Sequence, residues 1–294
     1  MQTAEQLARR ITSATDLHDI VRTMKSMAAV SISHYEQAVE SIDEYYRTVH
    51  LGLQAVLQRS QSGLSRRDHR SGTKRLAVVV FGSDQGMCGG FNDRIVDFTT
   101  ETLRSLAETP ENVRIICVGT RAAALLDAAG LKPELTFAVP GSLNDIVPQS
   151  QKILATINDW QKEKQVGTIK LLHNSKTGAV SYTQELVHLL PLADEWFSEI
   201  VSRQWPSRSL PVYTMERSRL FSALVHQYLF VSLYRAFAQS MATENASRLS
   251  SMQAAEKNIE EQLEDLNSRH RRQRQSSITS ELLDIVSGFE ALAE

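Results

Sequence analysis

Apolar residues recur at alternating steps of three and four along the first sixty positions. Ile32, Tyr35, Val39, Ile42, Tyr46, Val49, Leu53 and Val56 keep that alternation unbroken, the mark of a helix with one narrow seam for a partner helix. Leu7, Ile11, Ala14, Leu17, Val21, Met24 and Ala28 extend the stripe upstream with one irregular step. Thr3-x-x-Gln6 reads as a capping box, in which each side chain satisfies a free amide at the helix start. No proline interrupts and Gly52 is the only glycine, so the pattern predicts one helix from about Thr3 to Gln58. At about 1.5 Å per residue it is roughly 80 Å long, more than a compact domain can enclose.

The other end repeats the pattern. From about Pro211 to Leu292 the only glycine is Gly288, and Pro211 suits the first turn of a helix. Leu249, Met252, Ile259, Leu263 and Leu266 hold a heptad seam that Glu256 breaks at one position, and Ile278, Leu282, Ile285, Phe289 and Leu292 hold another. This helix should reach roughly 120 Å. The two can pair as an antiparallel coiled coil if the middle of the chain folds as a turn-back domain. The first helix then runs out when the second has reached about residue 270, leaving about 30 Å of helix unpaired. The apolar face of that overhang needs cover from another molecule.

Between the helices the period changes. "SQSGLSRRDHRSGTKR" (Ser60–Arg75) reads as an exposed basic linker, whose charges could also touch an acidic partner. Leu76–Phe81 and Val113–Val118 are short β-branched runs of the kind found in buried parallel strands. Thr168–His173 fits another strand, and Gly178–Leu192 begins as an edge strand. Asn92–Glu108, Arg121–Ala129 and Asn144–Lys164 fit the intervening helices. The predicted fold class is therefore α/β: a long antiparallel coiled coil of N- and C-terminal helices plus a small doubly wound, Rossmann-like domain. Boundaries fall at 1–58 for the first helix, 59–75 for the linker, 76–207 for the α/β domain and 208–294 for the last helix.

Composition narrows the chemistry. Among 294 residues, 32 Lys plus Arg face 34 Asp plus Glu, a balance that argues against a protein dominated by nucleic-acid affinity. Two cysteines, Cys88 and Cys117, make no disulfide framework and suit a reducing compartment. The eight histidines lack local ligand spacing such as H-E-x-x-H, so no metal is expected. No stretch approaches the roughly 20 apolar residues of a membrane span. "MQTAEQLARR" reads as folded helix rather than as a targeting peptide.

"GSDQGMCGG" (Gly82–Gly90) directly follows the first strand run. It is not a Walker A loop, since no lysine follows Gly89 or Gly90, and it is not G-x-G-x-x-G. No acidic residue ends the second strand where a ribose would sit. Two readings stand: Gly86, Gly89 and Gly90 allow a tight turn and close packing, or they admit a ligand. Ser83 lacks a G-x-S-x-G elbow. Cys88 could be activated by the following helix N-terminus, but with no base to name it reads as a structural thiol. No catalytic residue and no cofactor are assigned.

Taken together, the ends and the loop resemble one family. "RRITSATDLHDIVRTMKSMAA" (Arg9–Ala29), "GSDQGMCGGFN" (Gly82–Asn92), "ENASRLSSMQAAEKNI" (Glu244–Ile259) and "RQSSITSELLDIVSG" (Arg274–Gly288) are similar, in order, to the gamma subunit of F-type ATP synthases. "LLPL" (Leu189–Leu192) falls where that family closes its α/β domain. The resemblance implies the central stalk of a rotary motor, catalytically inert alone. Its partners would be the alpha and beta subunits of the catalytic head, an epsilon subunit and a membrane ring of c subunits. It implies a peripheral protein on the cytoplasmic face of a bacterial or similar energy-transducing membrane. The loop, Asp84, Gly86, Cys88, Gly89 and Gly90 included, becomes architectural. Met24 and Lys25, with Arg274, Gln275, Thr279 and Glu281, match the family's contacts to the head; Ile278, Leu282, Ile285 and Phe289 suit a hydrophobic bearing.

Three departures stand out. Gln85 replaces a usual basic residue, His270–Arg271 replaces a common Tyr-Asn pair, and "VSISHYEQAV" after Ala29 lacks the usual lysines and arginines. The third suggests an atypical foot surface, as in a divergent branch or a second, alternative ATPase. The basic run "RHRRQRQ" (Arg269–Gln275) could instead touch nucleic acid, a reading that its place in a coiled coil of a near-neutral chain opposes. The competing functions are a nucleotide-binding α/β enzyme with a helical oligomerisation hairpin, and a coiled-coil scaffold unrelated to energy conversion.

Overall fold

The computed structural model describes residues 3–58, 75–106, 108, 112–163, 166–178, 181–192, 194–208 and 211–293, without the side chains of 194–195 and 288–293. Nearly all of the predicted basic linker lies outside the described residues. Its last residue, Arg75, opens the first strand.

The element order is α1 (Ala4–Gln58), β1 (Arg75–Phe81), α2 (Phe91–Ser105), β2 (Val113–Val118), α3 (Thr120–Ala128), β3 (Leu135–Phe137), α4 (Leu143–Lys162), β4 (Val166–Lys176), β5 (Tyr182–Leu190), α5 (Asp194–Ser202) and α6 (Arg217–Ala293). The capping box forms as expected. The Thr3 amide donates to Gln6 Oε1 at 3.2 Å and the Gln6 amide to Thr3 Oγ1 at 3.3 Å. The other terminal helix starts later than Pro211. Glu216 accepts from the Ser218 and Arg219 amides at 2.9 and 3.0 Å, and this carboxylate fixes the start of α6 at Arg217.

The chain forms two compact units, Met1–Ala29 with Arg248–Glu294, and Val30–Ser247. The larger holds a five-stranded sheet of order β3-β2-β1-β4-β5. β1 pairs in parallel with β2 and β4, β2 in parallel with β3, and β5 runs antiparallel to β4 as the expected edge strand. Alternation along β1 feeds two cores. Ala77, Val79 and Phe81 join α1, α4 and α6 side chains on one face, while Leu76, Val78 and Val80 join those of α2 and α3 on the other. Both faces of the sheet are covered, which is why its central strands read as unbroken apolar runs.

In the smaller unit Val21, Met252 and Ile259 form the core, with Met24, Ala255 and Leu263 packed against it. Cross-helix partners run in opposite senses along the chain: His18 meets Glu260 and Lys25 meets Glu256. In the larger unit Asp43 meets Arg235 and Tyr45 meets Gln227. Within each unit, then, α1 and α6 are antiparallel.

Several buried polar side-chain atoms have no hydrogen-bond partner among the described residues, those of His50 among them. His50 is 7% exposed, and neither ring nitrogen is hydrogen-bonded. Tyr46, Tyr228 and Trp196 surround it with ring centroids 4.3, 5.7 and 5.9 Å away. Burial first, and then the Arg203 guanidinium, push its pKa down to about 4. Folding therefore favours the neutral ring. That contribution is whole above the unfolded value of about 6.5 and is lost as pH falls toward the folded one. Thermal melts between pH 7 and 4 should show stability falling with acid, and His50→Phe should flatten that limb. Equal slopes for both proteins would contradict the assignment.

Candidate functional site

Gly82–Gly90 leaves the carboxyl end of β1, between β4 and β2, where the sheet order reverses. In open α/β sheets this is the crevice that takes a ligand. Here the chain fills it. The Ser83 amide donates to Asn92 Oδ1 at 2.9 Å, Asn92 Nδ2 donates to Ser83 Oγ at 2.7 Å, and Ser83 Oγ donates to the Gln85 carbonyl at 2.6 Å. Asn174 Nδ2 donates to the Phe91 carbonyl at 3.1 Å, and Ser247 Oγ, from α6, donates to the Cys88 carbonyl at 2.6 Å. Asp84 spans two connections, accepting from the Thr120 amide through Oδ1 and from the Val139 amide through Oδ2, each at 2.8 Å. Its carboxylate caps the start of α3, where a ligand's phosphate would otherwise bind.

The glycines divide unevenly. A Cβ on Gly82 would stand 2.1 Å from that of Ala122; one on Gly119, at φ +108°, would stand 2.7 Å from the Ser83 backbone. Gly89 takes a positive φ of 58°. Gly86 has open space around its Cα, and Gly90 has only Arg94 Nε at 3.8 Å. Close packing thus resides at Gly82 and Gly119 rather than at Gly86 and Gly90. Cys88 is 1% exposed, with Sγ 3.7 Å from both Ser83 Oγ and Asn92 Nδ2. Burial and then Asp84 push the Cys117 thiol up to about 12, which makes it a poor nucleophile.

The helical residues singled out from the sequence fall into two groups. Met24 is half-buried against the small core, and the Lys25 ammonium pairs with Glu256 across the two helices. Leu17 is 50% exposed, whereas the His18 side chain is 20% exposed. Counting strict 4-3 steps from Leu7 explains the difference, because the seam passes through His18 and Lys25 and needs no irregular step. Glu256, which interrupts the apolar seam of α6, is the partner of Lys25.

Beyond the level of α1 the surroundings change. Arg274 to Ser287 are helical and exposed. Ile278, Leu282 and Ile285 are 49%, 58% and 56% exposed, and Leu283 and Val286 add apolar surface that the heptad count omitted. The side chain of Phe289 lies outside the described residues. Gln275 accepts from Thr279 Oγ1 through its carbonyl at 2.9 Å, and Glu281 accepts from Ser277 Oγ at 3.3 Å. Both bonds are local to α6.

A family model described as ATP synthase matches residues 3–292. The chain belongs to the ATP synthase gamma-chain family. An ATP synthase gamma chain from Azobacteroides pseudotrichonymphae is 28% identical over 99% of this chain and 100% of its own. The rotor of the Euglena gracilis mitochondrial ATP synthase, in rotational state 1, superposes with TM-score 0.61 at 17% identity, over 94% of this chain and 98% of that one. The central stalk and c-ring structure from Tetrahymena thermophila gives TM-score 0.58 at 21% identity, over 80% and 99%. At these identities the structures bear on the fold. For a gamma-family chain the filled loop is a joint between strands and helices.

Asp84→Ala removes the acceptor for two amides and should lower unfolding stability by about 1–3 kcal/mol in denaturant titrations. Gly86→Ala, with room for its methyl, should change it by less than about 0.5 kcal/mol. The reverse order would contradict the joint.

Proposed function

We propose that this chain is the central-stalk rotor subunit of an F-type ATP synthase, coupling ion flow through a membrane ring to ATP synthesis or hydrolysis in an alpha/beta head by rotation. The observation that carries the reading is the exposed apolar overhang of α6. A continuous helix with Ile278, Leu282, Leu283, Ile285 and Val286 facing solvent needs a sheath, and a ring of head subunits provides a hydrophobic one. Family membership and the rotor, F1 and c-ring assemblies named for the structural neighbours support the same partners. In this reading 76–207 is the foot on the c-ring, beside an epsilon subunit, and residues 1–58 and 208–294 are the shaft. The protein sits peripherally on the cytoplasmic face of a bacterial or similar energy-transducing membrane. No helix of the described residues is long and apolar enough to cross it.

The exposed polar residues of the overhang carry the grip. Arg274 can pair with a head carboxylate, Gln275 and Thr279 can hydrogen-bond head loops, and Glu281 completes the cluster. Met24 and Lys25, which the resemblance also points to, face the neighbouring helix. Lys25 reaches a head subunit only by giving up Glu256. The filled crevice at the glycine loop weighs against the nucleotide-binding enzyme.

Reconstitution with alpha and beta subunits tests the reading. The chain alone should hydrolyse no ATP and should restore coupled turnover when added. Truncation after Ser276, or Ile278→Asp with Leu282→Asp, should weaken assembly about a hundredfold, because carboxylates enter an apolar sleeve. ATP turnover by the isolated chain, or full assembly by the truncated one, would overturn it. Arg274→Ala should reduce proton-pumping efficiency without changing the chain's melting temperature, whereas Met24→Lys should lower both.

A further inference from the structure

The ionic layer inside the seam has a use that the rotor reading does not require. His18 on α1 faces Glu256 and Glu260 on α6, all three within the smaller unit. One potential ligand atom from each lies within 4.8 Å of the other two. We propose that this trio binds a single divalent transition-metal ion of the zinc class, bridging the two helices.

Three observations carry the inference. Glu256 and Glu260 are one turn apart, so both carboxylates project from the same stripe of α6 toward α1. His18 Nε2 stands 3.5 Å from Glu260 Oε1, long for a hydrogen bond. Metal bonds of about 2.0–2.1 Å set tetrahedral ligands roughly 3.3–3.4 Å apart, close to that separation. The other ring nitrogen, Nδ1, lies 3.7 Å from Asp19 Oδ1. A carboxylate behind the imidazole favours the tautomer whose Nε2 lone pair faces the glutamates.

The surroundings set the strength. Asp19, Glu256 and Glu260 supply three carboxylates against the cations of Lys25 and Arg22, which leaves one negative charge to draw in a cation. Lys25 is the competitor: its ammonium holds Glu256 Oε2 and leaves only Oε1 for the metal. Glu260 is 60% exposed on its side chain, so water can complete the shell. Local histidine spacing in the sequence misses such a site, because His18 and Glu260 lie 242 positions apart.

Zinc titration of the full chain by calorimetry tests the site, with His18→Asn, Glu260→Gln and Lys25→Gln beside the parent. The parent should bind one ion in a step that weakens at least tenfold in His18→Asn and Glu260→Gln. Lys25→Gln should tighten that step severalfold, because it frees the second oxygen of Glu256; a purely structural role for the layer gives no such gain. Zinc should raise the melting temperature of the parent, reversibly with chelator, and not that of Glu260→Gln. No binding by the parent, or the same affinity in the His18 and Glu260 variants, overturns the proposal. The site does not rest on the rotor reading, and neither outcome bears on assembly with alpha and beta subunits.

Discussion

Two helical segments that share an antiparallel seam must be equally long or leave part of one uncovered, and in the smaller unit the α6 segment outlasts the α1 segment. In the smaller unit the pairs His18–Glu260 and Lys25–Glu256 fix the register. Carried upstream, that register sets the start of α1 level with about residue 274 of α6. Every residue from 274 to 287 is exposed, the large apolar ones included. Since a helix stays folded mainly by burying its apolar face, this stretch is incomplete without another surface. Functional reasoning about the chain starts from that mismatch in length.

What fixes the register is polar. An all-apolar seam tolerates slippage by a heptad, because each layer resembles the next. Lys25 and Glu256 meet within it at one level only, and a slip would strand both charges against apolar neighbours. Such a pair adds little net stability but penalises every other alignment. The same residues explain a misreading of the pattern. Apolar counting moved the seam to Leu17 and Met24, whereas uninterrupted heptads carry it through His18 and Lys25.

Much of the fold was legible because long elements repeat their period many times. The helices, the capping box, the buried strands and the edge strand all follow from spacing. The misses are short or depend on distant partners. β3 has three residues, too few for alternation to register, and α5 has only nine, about two and a half turns. The start of α6 depends on Glu216 rather than on Pro211. The loop stayed ambiguous in sequence because its partners, Thr120, Val139 and Ser247, are far along the chain. Spacing of glycines shows where a backbone can bend, not what fills the space it makes.

That filling connects the sheet to α6. In a doubly wound enzyme the crevice beyond the central strands stays open for a ligand, and loops around it move. Here Ser247 of α6 binds the Cys88 carbonyl, and Phe237 of α6 stacks edge-on against Phe81 of β1 at 4.9 Å. Asn92 and Asn174 are buried beside them. A polar network satisfied entirely from within holds its geometry without a ligand, so α6 is fastened to the carboxyl edge of the sheet whether or not any nucleotide is present. The residues that resemble a binding loop thus bond to one another and to α6.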